Sequence, residues 1–285
     1  QAQQDALLEV FNRTLEHQRC EVVLVEGEAG TGRRRLTRWL LETLHEQGAA
    51  RTLRISFTDH DHLDAALHVA LLQALRQPRL ESEPLRKRID LHLDLPDDDA
   101  QRLTRFLMRK PSRLRFDEDD DEVLSPEFFQ RVVARLGQVP SRRALVLWLD
   151  SPPLSAQSTL LPWLNALLSP HGAQNPLLVL WTRRAEPHAR LPALDAPERV
   201  TRVSLGSMAA PQLSTYLTRL LPSLSSSSCD TIVALSDGNP LFARELLRHW
   251  RSTGAFETRQ HGLELTEEAL GQQFDNVESV FIHHT

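Results

Sequence analysis

Apolar positions along the chain change period several times, and each change predicts an element. Ala6, Leu7, Val10, Phe11 and Leu15 recur at helical spacing within residues 4–18, so an amphipathic helix precedes the first strand. Val22, Val23, Leu24 and Val25 then form an unbroken apolar run, as expected of a strand covered on both faces. Leu36, Trp39, Leu40 and Leu44 share one face of a second helix, which ends near Gly48 as its C-cap. Residues 51–57 read as another strand, followed by a helix with a Leu/Ala/Val stripe and Asp59 as its N-cap. Residues 144–149 and 176–181 are wholly apolar strands, with a helix around Thr159 to Leu168 between them. This alternation predicts βαβ crossovers and a parallel sheet.

Elsewhere the pattern is more broken. Pro78, Pro84, Pro96, Pro111, Pro126 and Pro140 punctuate residues 77–143 into short helical pieces. Asp117 to Glu122 is a continuous acidic run, read as a solvated loop with an acidic docking tract as the alternative. From Pro211 onward three helical stretches are separated by turn signals, and Phe256 to Leu265 alternates around His261 and Gly262 like a hairpin. The expected fold is therefore α/β. A three-layer domain spans residues 1–205, a small helical lid 206–255, and a tail 256–285. Because the chain starts at Gln1 and Val280, Phe281 and Ile282 end it inside an apolar pattern, the tail is expected to open a further region of a longer protein.

Composition narrows the function classes. Over 285 residues, 41% hydrophobic and 25% charged content is that of an ordinary globular protein. A net charge of −5 disfavours nucleic acid as a general partner. Two cysteines, Cys20 and Cys229, are too few for a disulfide scaffold and read as reduced thiols. No apolar run approaches the roughly 18 residues that span a bilayer, and no signal peptide is recognisable. The expectation is a cytoplasmic protein without membrane partners.

The chemistry concentrates just after the first strand. Gly27, Glu28, Ala29, Gly30, Thr31 and Gly32 lie between a strand and a helix, the arrangement in which backbone N–H groups curl around nucleotide phosphates. The pattern asks next for Lys, a point charge on the β and γ oxygens, and then for Ser or Thr, whose hydroxyl ligates Mg²⁺. Arg33 and Arg34 stand there instead. Arg33 keeps the charge on a planar fork of different reach, whereas Arg34 offers the metal no oxygen. Asp150, at the end of an apolar strand, sits where a metal-holding acid belongs. Ser151 follows in place of a water-orienting carboxylate.

Four segments carry a family resemblance: residues 22–36, 145–153, 176–184 and 237–256. They resemble the Walker A loop, Walker B strand, sensor strand and Gly-Asn-Pro-Leu-Phe lid segment of AAA-related P-loop domains of the STAND class, found in large bacterial signalling regulators. The resemblance implies that Thr182 and Arg184 approach the γ-phosphate region and that Pro240 lies against the base. It also implies ATP or ADP as cofactor. Given Arg33, Arg34 and Ser151, the nucleotide is expected to be held weakly, without Mg²⁺ and without efficient hydrolysis.

The expected function is a pseudo-ATPase module of a multidomain signalling protein, partnered by other domains of its own polypeptide and by proteins. One alternative is an active switch in which Arg33 replaces Lys. Another is an effector or nucleic-acid module built on Arg33, Arg34, Arg35 and Arg38. Three roles are open to that basic cluster: binding phosphate, pairing with Asp150, or docking on an acidic partner. Oligomerisation is open, with Arg183 or Arg184 as a trans-acting finger. Asp59, His60, Asp61 and His62 read as a solvated cap rather than a metal site, and His249 as surface or interface packing.

Overall fold

The computed structural model describes residues 1–57, 62–76, 82–109, 125–137, 143–169, 175–185, 194–260 and 262–271. Two compact units divide the chain, one formed by Gln1–Glu26 and Arg34–Ser204, the other by Gly27–Arg33 and Leu205–Thr285.

The first unit holds a five-stranded sheet, flanked by helices as a three-layer α/β fold. Its strands are β1 (Cys20–Gly27), β2 (Ala50–Ser56), β3 (Ala144–Asp150), β4 (Leu177–Arg184) and β5 (Val200–Leu205), in the order β2-β3-β4-β1-β5. β3 is parallel to both β2 and β4, and its register places Asp150 beside Ser56 and Thr182. Every residue of β3 is buried. Such a strand has no polar face to turn outward, which is why the sequence shows a solid apolar run rather than alternation. The edge strand β5 was not expected. Its Thr201, Arg202 and Ser204 interrupt the valines, and its burial is partial, so it lacks the apolar signature of the central strands.

Helices α1 (Ala2–His17) and α2 (Arg33–Glu46) flank β1 in the chain. The end of α2 is closed at Gly48, with φ of 63°, where the Gly48 and Ala49 amides return to His45 and Leu44. Helix α3 (Leu63–Ala74) begins after His62, whose side chain makes no capping bond; Asp59 and the acidic run at 117–122 lie outside the described residues. Pro78, Pro111 and Pro140 lie outside the described residues, and around the other prolines of residues 77–143 the structure shows the expected short helical pieces. It contains α4 (Ser82–Leu93), α5 (Asp97–Met108) and α6 (Pro126–Gly137). Pro84 falls in the first turn of α4, Pro96 caps α5 and Pro126 opens α6, positions where a missing N–H costs nothing. The next helix, α7, is longer than the expected one and spans Leu154–Leu168. Leu145, Leu147 and Leu149 pack with α3 to α7 into the main core, and the Asp99 carboxylate clamps Arg131 bidentately between α5 and α6.

In the second unit, α8 (Ala210–Leu220), α9 (Ser226–Ser236) and α10 (Pro240–Ser252) enclose a core of Leu213, Leu217, Ile232, Leu246 and Trp250. His249, expected in surface or interface packing, is buried in this unit. The expected hairpin is present as β6 (Phe256–Arg259) paired antiparallel with β7 (Gly262–Leu265), ahead of the short helix α11 (Glu267–Leu270).

Candidate functional site

The phosphate-type loop belongs to the second unit, and its backbone has the twisted geometry its glycines permit. Gly30 has φ of 86° and Gly32 has φ of 99°, values that a Cβ-bearing residue rarely adopts. The Thr31 amide and hydroxyl both turn back to the Glu28 carbonyl, at 3.3 and 2.9 Å. A Cβ on Gly32 would meet nothing within 4 Å, whereas one on Gly30 would collide with Leu241 Cβ at 2.7 Å and with the Asn239 amide. Gly30 is therefore covered, and the backbone at Gly32 is open.

What covers Gly30 is the start of α10. Asn239 is the N-cap: its Oδ1 accepts from the Leu241 and Phe242 amides at 3.1 and 3.2 Å. Its Nδ2 donates to the Ala29 carbonyl at 2.8 Å. One side chain thus satisfies two orphan amides of the helix and grips the glycine loop. Pro240 occupies the first helical position, where its fixed φ suits the helix.

Asp150 sits in the first unit at the C-terminal end of β3, with no exposed surface. Arg34 Nε donates to its Oδ1 at 2.8 Å, and Arg54 Nη2 donates to its Oδ2. Both carboxylate oxygens are thereby committed. The Ser151 hydroxyl also donates to Oδ1, at 3.2 Å, from a residue with φ of 57°, an unusual left-handed conformation for serine. Burial would raise the Asp150 carboxyl, but the bonds and charges of Arg34 and Arg54 outweigh it and hold the group below the ordinary carboxylate range. The guanidinium of Arg54 in addition lies 4.4 Å from the centre of the Trp148 ring, on the neighbouring strand.

Of the three roles open to the basic cluster, pairing with Asp150 is the one Arg34 adopts. Arg54 was missed, because its approach to Asp150 depends on the β2–β3 register. Asn239 was seen only as part of a motif. Thr182 is fully buried; its hydroxyl donates to the Leu149 carbonyl and accepts from the Ser151 amide, both at 3.1 Å. It ties β4 to the end of β3. Arg184 is exposed, while Arg183 is buried and paired with Glu26 at 3.0 Å, so Arg183 is not presented outward as a finger would be. Cys20 and Cys229 are buried free thiols. Among the described residues no three His, Cys, Asp or Glu groups converge to hold a metal, and no helix is long and apolar enough to cross a membrane.

The model of the AAA ATPase domain family matches residues 1–180. No curated protein matches the chain. Among solved structures, Cdc6p from Pyrobaculum aerophilum is 15% identical with a TM-score of 0.51, over 88% of this chain and 62% of that one. The structure of Drosophila ORC bound to DNA gives 15% identity and a TM-score of 0.43, over 88% and 54%. A Signal Transduction ATPase with Numerous Domains from Pyrococcus horikoshii, which carries a tetratricopeptide repeat sensor, gives 14% and 0.41, over 95% and 32%. The Cdc6p likeness shows the fold alone. This chain spans less than two thirds of each of these neighbours.

Proposed function

Since this chain belongs to the AAA ATPase domain family, we propose that it is a member that has given up hydrolysis and serves as a regulatory or scaffolding module in a multidomain signalling protein. The observation that carries this reading is the double capture of Asp150 by Arg34 and Arg54. A Mg²⁺-assisted phosphoryl transfer needs an acid free to hold the metal and a hydroxyl beside it. Here the acid is neutralised by two guanidinium groups, and one of them occupies the hydroxyl's place in the sequence. The residues present do not fit Mg²⁺.

The glycine loop is a different case. The open backbone at Gly32 fits an anion approaching closely, so ATP or ADP is proposed as a weak, metal-independent ligand, and its phosphates would lie against Gly30 to Arg33. The partners proposed are other domains of the same polypeptide and regulatory proteins.

A turnover assay with Mg-ATP tests the reading. The wild-type protein and the Asp150→Ala variant are expected to release phosphate at the same background rate. Turnover by the wild type that disappears in Asp150→Ala would establish a working ATP switch instead.

A further inference from the structure

The Arg34–Asp150–Arg54 group carries an excess of positive charge. One fully buried carboxylate is set against two guanidinium groups whose side chains are 49% and 44% exposed. Each guanidinium has five N–H donors in a rigid fork. Among the described residues, the bonds to Asp150 use Nε of Arg34 and Nη2 of Arg54, so most of the donors of both forks make no bond to the acid. The surroundings add to the excess. The first turn of α2 contains no acidic residue, its dipole presents a partial positive charge at that end, and the exposed Arg38 lies one turn from Arg34 on the same helix. The Arg54 guanidinium also lies over the Trp148 ring, 4.4 Å from its centre, a contact that restrains it. Two guanidinium groups joined through one shared carboxylate offer the paired N–H donors that phosphoryl oxygens accept.

We infer that Arg34 and Arg54, seated on Asp150, form a subsite for a metal-free di- or triphosphate, with the arginines supplying the counter-charge that Mg²⁺ supplies elsewhere. This rests on the non-hydrolysing reading above and gives that reading a ligand state. The carboxylate keeps the two cations together in the empty protein; the polyphosphate uses the donors that Asp150 leaves over. The distinguishing consequence is inverse metal dependence. Mg²⁺ neutralises the phosphates and occupies the oxygens the arginines would take, so it competes with the site instead of completing it.

The test is calorimetric titration of the wild-type chain and of Arg54→Gln, Arg54→Lys and Arg105→Gln with pyrophosphate, ADP and ATP. Each is run in EDTA and again with Mg²⁺ in excess of the ligand. Arg105 is an exposed arginine of α5 and controls for net charge. In EDTA the wild type is expected to bind, Arg54→Gln to lose about tenfold or more in affinity, and Arg54→Lys to lose part of that. Arg105→Gln is expected to stay near wild type, and Mg²⁺ to weaken binding to the wild type. Equal affinity for pyrophosphate and ATP identifies the polyphosphate alone as the ligand, and tighter ATP binding identifies a nucleotide; both sustain the subsite. Thermal melts show that each variant is folded, and where Arg54→Gln is not, Arg54→Lys is read in its place. No binding in EDTA, an equal loss in Arg105→Gln, or tighter binding with Mg²⁺ would each overturn the subsite. Absent binding with absent turnover leaves the non-hydrolysing reading standing, whereas Mg²⁺-strengthened binding with turnover overturns both.

Discussion

Arg34 Nε lies 2.8 Å from Asp150 Oδ1, joining the first turn of α2 to the end of β3 across 116 positions of sequence. The contact also resolves a local conflict. Arg33, Arg34 and Arg35 open α2 with no acid in its first turn, placing cations at the positive end of the helix dipole. Asp150 supplies the missing anion from another element. A double-mutant cycle on Arg34→Ala and Asp150→Asn is therefore expected to show a favourable coupling of about 1–2 kcal/mol in urea denaturation. That is below the 3–5 kcal/mol lost when a fully buried pair is broken, because Arg34 is half exposed and Arg54 remains. A coupling near zero would mean the pair is incidental.

The same carboxylate makes stability depend on acid. Its folded-state pKa lies below the ordinary value of 3.8, so its contribution is complete above that value and is lost as the pH falls through it toward the depressed folded value. Denaturation followed from about pH 6 down to about pH 3 should show a loss of stability on the acid side that is shallower in Asp150→Asn. Parallel profiles for the two proteins would contradict the geometry.

Much of this fold was legible in the pattern, and the exceptions have identifiable causes. The central strands announced themselves because they are buried on both faces, and the glycine loop because its φ values exclude other residues. The edge strand β5 escaped because only one of its valines is buried and its remaining positions are polar or partly exposed. The prolines near α4 to α6 marked short helical pieces because they occupy helix starts. Arg34 was a visible candidate for Asp150, being fixed to the glycine loop by two positions of sequence. Arg54 was not. Its reach to Asp150 follows from pairing Arg54 beside Trp148 and Ser56 beside Asp150, a register that no local spacing encodes.

Asn239 has two separable duties in the second unit. Asn239→Asp retains the acceptor for the α10 amides and loses the donor to Ala29, whereas Asn239→Ala loses both. Chemical denaturation should show Asn239→Ala destabilised by about 1–2 kcal/mol, with Asn239→Asp between it and wild type. Gly30→Ala should cost more than either, since it adds backbone strain to a collision with Leu241 and Asn239. Equal stability of Gly30→Ala and wild type would show that the start of α10 does not rest on the loop.

Cys20 supplies a check on the packing of β1. Burial first, and the neighbouring Glu21 second, push its thiol up to about 12, against a weaker opposing pull from Arg199. The nucleophile is the thiolate, so iodoacetamide at neutral pH should leave Cys20 unmodified in the native protein and label it in urea. Rapid native labelling, read by mass spectrometry, would place Cys20 outside the core.

The most direct test of the capture of Asp150 by arginine uses Mn²⁺ as a paramagnetic stand-in for Mg²⁺. In the presence of ATP, electron paramagnetic resonance titration should give the same free Mn²⁺ signal for the wild type and Asp150→Ala. One Mn²⁺ bound per chain in the wild type and lost in Asp150→Ala would show that the acid holds metal after all.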